Sequence, residues 1–296
     1  MLFRLLEILV AVATLCFAYG VFIERKAYRL ACRPRLPILP AGGPESLTVL
    51  HLSDLHFVRN DTRKARFLAS LPEADIAVVT GDFLAEPEAV DAAVAGVRPA
   101  RGRLASYFVL GSNDLYRPQP FNPVHYFSWR LRLRRRKRIA TRNLRGPVDE
   151  LVSGLEADGW IHLPNERRED MLGGLPLEVV GLNDPHAHFS DLRVAPRRAP
   201  ERLGVALVHS PDPAPELVAL GYDLVLAGHT HGGQVRTPWG ALVNNSSLPL
   251  HMTDGLFRFG SSYLHVSRGI GTSKYAPFRF LCRPEAHLLE LEPKPG

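Results

Sequence analysis

Cysteine is scarce. Cys16, Cys32 and Cys282 are the only thiols in 296 residues, too few and too scattered for a disulfide framework, and none stands in Cys-x-x-Cys spacing for zinc or redox chemistry. No segment recurs at a fixed period, and the 25 prolines are spread through connecting stretches instead of forming one low-complexity tract. Disulfide-stapled, repeat and low-complexity architectures are therefore excluded. Nor is there an aromatic-interleaved basic platform or a recognisable nucleic-acid motif, although the net charge is +6. What the chain has is a 46% hydrophobic share, enough for a sizeable core. Its basic balance favours acidic partners without choosing among nucleic acid, phosphorylated metabolites and anionic lipid.

The stretch LLEILVAVATLCFAYGVFI, residues 5 to 23, is apolar over near-spanning length, interrupted only by Glu7, and reads as a single membrane helix. A cleaved signal peptide is the rival, but the run is longer than a usual signal core and lacks a small-x-small site before a mature-looking start. Arg25, Lys26, Arg29, Arg33 and Arg35 follow it, against Arg4 and the amino terminus before it, so the positive-inside tendency puts the larger portion on the cytoplasmic face. The expected organisation is an anchor over 1–25, a basic and Pro/Gly linker over 26–46, and one folded domain over 47–296.

Within that domain one arrangement recurs: a short Val/Ile/Leu run, read as a buried strand, stops at Asp, His or Asn. LTVLHLSDLH ends in Asp54 and His56, DIAVVTGD in Asp82, ASYFVLGSND in Asn113 and Asp114, GVALVHS in His209, and DLVLAGHTH in His229 and His231. Helices are expected between them at 61–70, 86–97, 149–158 and 213–220, which makes a layered α/β core. In such cores polar groups gather where the carboxyl ends of strands open into a crevice. Carboxylate, amide oxygen and imidazole without thiolate suit divalent Mn, Fe or Zn. Seven candidate donors exceed one ion's needs, so two ions sharing a carboxylate are expected.

In their order, SDLH, GD, GSND, H and GHTH resemble the motifs of the calcineurin-like metallophosphoesterase superfamily over residues 48 to 233. The resemblance implies a four-layer αββα sandwich of two mixed sheets flanked by helices. It implies that Asp54, His56 and His231 bind one metal, that His209, His229 and Asn113 bind the second, and that Asp82 bridges them. Asp82, Asn113, Asp114 and His229 are the implied catalytic set, acting by direct attack of a metal-bridging hydroxide on phosphorus. The third motif departs from the family: GSND stands where Gly-Asn-His-Asp/Glu is usual, leaving Asp114 at the position of the family's presumed leaving-group acid. Asp114 serves there only if its pKa is raised; capping the following turn is the other reading.

HTHGGQ and the tail VSRGIGTSKYAPFRFLCRPE resemble a membrane-associated subgroup similar to the YkuE and YaeI phosphoesterases, part of which is similar to UDP-diacylglucosamine pyrophosphatases. The implied substrate is a phosphodiester or pyrophosphate that is nucleotide-linked or lipid-linked. A catalytically weak metal-binding scaffold or sensor is the alternative, and a nuclease of the same superfamily a third, disfavoured by the anchor. Asp184 and His186 in GLNDPHAH, with Asn183 and His188 beside them, and Arg279 in the tail, with Arg268 and Lys274, are candidate substrate contacts. The block WRLRLRRRKR, 129 to 138, is a candidate for anionic lipid headgroups.

Overall fold

A computed structural model describes residues 2–117, 145–187 and 190–295; the basic block 129–138 and His188 lie outside the described residues. Two mixed sheets stack face to face. The first contains β1 (Arg29–Cys32), β2 (Leu36–Leu39), β3 (Leu47–Leu52), β4 (Ile76–Thr80), β5 (Ala105–Val109), β6 (Ile161–His162) and the last strand, β15 (Glu285–Pro293). Its order is β1-β15-β3-β4-β5-β6, with β2 also pairing β15. The second contains β7 (Glu166–Leu172), β8 (Leu175–Leu182), β9 (Leu203–Val208), β10 (Leu224–Ala227), β13 (Gly255–Phe259) and β14 (Ser262–Val266), ordered β13-β14-β10-β9-β8-β7. A small hairpin, β11 (Arg236–Thr237) and β12 (Gly240–Ala241), stands apart.

Alternation along the strands builds the layers. Val49, Ile76, Val78 and Val109 of the first sheet meet Leu177, Val179, Leu207 and Leu226 of the second in the core between them. The opposite faces are buried too. Leu50, Val79 and Phe108 pack under α2 (Thr62–Ala69), α3 (Val90–Val97) and α4 (Val148–Ala157) through Leu68, Val97 and Leu151. Val180, Val208 and Val225 pack under α5 (Ala214–Ala219) through Leu217. Strands covered on both faces need continuous apolar sequence, which is why IAVVT is buried at every position. The four-layer α/β sandwich is therefore present, with the expected helices at their expected places.

Parallel pairing positions the site. β3, β4 and β5 run parallel in one sheet, and β8, β9, β10 and β14 in the other, so the residues that follow β3, β4, β5, β9 and β10 emerge at one edge.

The expected linker over 26–46 is corrected by the structure: two stretches of it are built into the sheet. Arg29–Cys32 and Leu36–Leu39 pair in parallel with β15, and Leu36, Ile38 and Leu39 are buried in the core. Apolar side chains at alternate positions, not proline content, decide its fate, since a strand at the sheet margin tolerates Pro37.

The N-terminal helix starts as α1 (Leu2–Ala18) and continues through a wider turn (Tyr19–Ile23) and a tighter one (Glu24–Lys26). Phe3–Lys26 is the one helix among the described residues long and apolar enough to cross a membrane, and nearly all of it is exposed. Its base is docked: Phe17 stacks on Phe278 at 5.4 Å, and Gly20 lies so close to Phe278 that a Cβ there would collide with the ring.

Candidate metal centre

The strand-end residues converge. Atoms of Asp54, His56 and His231 lie mutually within 4.8 Å, as do those of Asp54, Asp82 and His209. Asp54 is common to both groups, yet Asp82 also faces both ways: its Oδ2 is 3.4 Å from His56 Nε2 and its Oδ1 is 3.6 Å from His209 Nε2. His231 Nε2 stands 3.3 Å from His56 Nε2, and His229 Nδ1 stands 3.2 Å from His209 Nε2. The two histidines of GHTH thus point to different ends of the cluster. Thr230 between them turns away and donates its hydroxyl to the Thr253 carbonyl.

Backbone strain is concentrated here. Asp54, His56, Asp82, His229 and His231, five of the seven expected ligands, have positive φ between 45° and 70°. A left-handed backbone is uncommon outside glycine and persists only where the surroundings enforce it. Glycines give the room: a Cβ on Gly228 would collide with Ser53 and Asp54, and one on Gly111 with the Asp82 carboxylate.

Most of the donors are held by a partner outside the cluster, although His56 Nδ1 is buried without one. Ser53 donates to Asp54 Oδ2 at 2.7 Å, and the His229 amide donates to the same oxygen at 3.0 Å. Asn113 donates to Asp82 through its backbone amide, at 2.9 Å, and through its side-chain amide. His209 Nδ1 donates to the Thr80 carbonyl at 2.8 Å, which turns Nε2 toward the cluster. The Asn245 side chain lies 3.1 Å from His229 Nε2 and turns Nδ1 inward.

Electrostatics favour a cation. Burial pushes the His209 pKa down, but the surrounding carboxylates of Asp82, Asp184 and Asp54 outweigh it and lift it to about 9. Burial holds His56, His229 and His231 below the usual imidazole range, hence neutral as ligands must be. Burial raises Asp54, whereas Asp82 stays low because His209, His56 and the Asn113 donors offset its own desolvation.

Asp114 and Arg279 are placed differently from expectation. Asp114 is fully buried; its Oδ1 accepts the Leu84 amide and its Oδ2 the Gly111 amide, both at 3.0 Å, so it braces two ligand-bearing turns from inside. Burial, then the Asp82 carboxylate, raises its pKa, but neither oxygen is free to meet a leaving group. Arg279, expected against substrate, is also fully buried. Its Nη2 donates to the Arg268 and Gly271 carbonyls at 2.8 and 2.6 Å and lies 3.3 Å from His231 Nδ1, so it supports a ligand from behind. Arg268 is paired with Asp254 and Glu285, and Lys274 with Glu86.

At the rim, His186 stacks on His229 with centroids 4.3 Å apart and holds Asp212 at 2.8 Å. Asp184 is buried beneath it, with Oδ2 lacking a partner. Asn183 is tied back through its amide to Asn165. Asn245, Asp212 and the Thr80 carbonyl carry no local sequence signal, since each acts through a neighbour distant in the chain.

The model of the calcineurin-like phosphoesterase family matches residues 47–233. YkuE of Bacillus subtilis (strain 168), an uncharacterized metallophosphoesterase, is 32% identical over 120 residues, 40% of this chain and 42% of that one. The phosphodiesterase YaeI of Escherichia coli (strain K12) is 36% identical over 117 residues, 38% of this chain and 41% of that one. The UDP-2,3-diacylglucosamine pyrophosphatase LpxG of Chlamydia trachomatis is 27% identical over 287 residues, 82% of this chain and 83% of that one. Similarity to YkuE and YaeI thus spans less than half of either relative, whereas that to LpxG runs over about four fifths of both chains. The family match starts at β3 and ends just past the GHTH turn, so it takes in every residue of the cluster: this chain belongs to the calcineurin-like phosphoesterase family.

Proposed function

We propose that this chain is a membrane-anchored, metal-dependent phosphoesterase that works with two divalent ions. The observation that carries the reading is the left-handed backbone at five of seven donors, all at strand ends that meet at one edge. Such strain is maintained for a purpose, and the donors are oxygens and imidazoles, types suited to Mn, Fe or Zn. Asp54, His56 and His231 would hold one ion and Asn113, His209 and His229 the other, with Asp82 between them.

When bound, the ions supply positive charge for a phosphoryl oxygen and make a water nucleophilic near neutral pH. The protein's own part is to fix the donors. Thr80 and Asn245 set the ring orientations of His209 and His229. Arg279 packs behind His231 and, after burial and His56, helps keep that imidazole unprotonated. His186, half-exposed and stacked on His229, is the rim group placed to touch substrate. With Asp114 occupied by backbone amides, no carboxylic acid is assigned to the leaving group.

The helix and the relatives support a substrate class. LpxG acts on a lipid-bearing pyrophosphate by its name, and its similarity covers 82% of this chain. Phe3–Lys26 would anchor the domain, and the basic residues after it favour the cytoplasmic face by the positive-inside tendency. A phosphodiester or pyrophosphate bond in a nucleotide-linked or lipid-linked compound is the expected target.

The test is metal content and hydrolysis of a chromogenic phosphodiester by the full chain in detergent micelles supplied with Mn, beside Asp82→Asn. Two ions per chain and turnover, both reduced in Asp82→Asn, are expected. A folded chain that takes up no metal overturns the reading.

A further inference from the structure

A cavity of about 390 Å³ lies between the exit of the N-terminal helix and the metal centre. Its wall includes Arg25 and Lys26 from the helix end, Arg63 and Lys64 from the first turn of α2, Lys274 from the tail, and the ligand His56. Two of these cations are neutralised, Lys64 by Asp61 at 2.7 Å and Lys274 by Glu86 at 2.9 Å. The side chains of Arg25, Lys26 and Arg63 have no carboxylate partner among the described residues. The Arg25 Nε is moreover buried without any hydrogen-bond acceptor.

A solvated surface arginine needs no explanation, but a buried guanidinium N–H without an acceptor is costly. The helix α2 begins at the same wall, but Asp61, also part of the wall, caps it by accepting the Lys64 amide, so the uncompensated positive charge there is that of the three side chains. Three cations without a carboxylate partner around one cavity call for an occupant with more than one negative charge, rich in acceptor oxygens. Because His56 closes one side, such an occupant reaches the edge of the metal centre.

The source of that anion follows from where the wall begins. Arg25 and Lys26 are the last residues of the exposed apolar helix Phe3–Lys26, so the cavity opens where apolar surface gives way to charge, the level of lipid headgroups. We infer that Arg25, Lys26 and Arg63 form the binding site for the phosphorylated head group of a membrane lipid, whose acyl chains lie beside the N-terminal helix and whose scissile bond is presented to the metal centre. This rests on the phosphoesterase reading for the fate of the lipid, but the anion site stands on its own residues.

The test uses the full chain in phosphatidylcholine nanodiscs with chelator present, titrated calorimetrically with inorganic pyrophosphate. Saturable binding is expected, weakened roughly tenfold by Arg63→Gln and further by the pair Arg25→Gln with Arg63→Gln. Asp82→Asn is expected to keep this binding while losing metal. Absent binding, or binding indifferent to Arg63→Gln, overturns the site even if metal uptake and turnover are normal. Conversely, pyrophosphate binding in a chain that takes up no metal leaves the site standing and removes the phosphoesterase. A second arm adds diacylglycerol pyrophosphate to the disc. Competition that weakens wild-type affinity for free pyrophosphate, but not that of the double variant, supports a lipid ligand. Equal affinity in both discs points to a soluble phosphate compound and overturns the lipid assignment.

Discussion

The Glu24 carboxylate, at the base of the N-terminal helix, accepts the backbone amide of Cys282 at 2.6 Å and that of Leu281 at 2.9 Å. Glu24 is buried, and the segment it holds also contains Arg279. A helix that would otherwise be a tether is thereby joined to the support of the metal centre.

Removing that acceptor strands two amides. Glu24→Ala is expected to destabilise the full chain by roughly 2–4 kcal/mol, and Glu24→Gln, which keeps one acceptor oxygen, by about half as much. Urea unfolding in micelles measures both. Equal stability of wild type and Glu24→Ala would show that the helix is merely appended.

Arg279→Lys keeps the charge but loses the planar fork that spans the carbonyls of Arg268, Gly269 and Gly271. His231 then loses its rigid backing. Groups that support a ligand from behind typically govern metal affinity by about 10- to 100-fold, and a loss of that order is expected in a Mn titration followed by electron paramagnetic resonance. An unchanged affinity would assign Arg279 to the fold alone.

The donors were legible in the sequence because each stands next to the strand that positions it: Asp54 follows LTVLHLS and Asp82 follows DIAVVTG, and parallel pairing does the rest. Three other placements depended on distant partners. Residues 29–39 look like a connector until β15, more than 250 residues later, offers them a ladder. Asp114 looks like an acid until the Leu84 amide is brought opposite it, and Arg279 looks like a phosphate contact until tail carbonyls close around it. Charge on its own does not reveal whether a group will meet solvent, ligand or backbone.

Between the sheets, His51 Nδ1 meets His265 Nδ1 at 2.8 Å, with His287 packed against both rings, and all three side chains are buried. Burial lowers the His51 pKa from 6.5 to about 3, and His265 and His287 are lowered as well. The unfolded chain therefore takes up protons near pH 6.5 that the folded chain refuses until about pH 3. The stability these neutral rings contribute is full above about pH 7 and falls as the pH drops through that window, because at these sites the unfolded state binds more protons. For His51 alone the loss between pH 8 and pH 5 is about 2 kcal/mol. Urea unfolding of the full chain at those two pH values, with chelator present to remove any metal contribution, measures it against His51→Gln, which cannot titrate but can still bond Thr80. The variant should show a shallower decline by about that amount. If both proteins lose the same stability on acidification, His51 is not buried neutral and the acid sensitivity lies elsewhere.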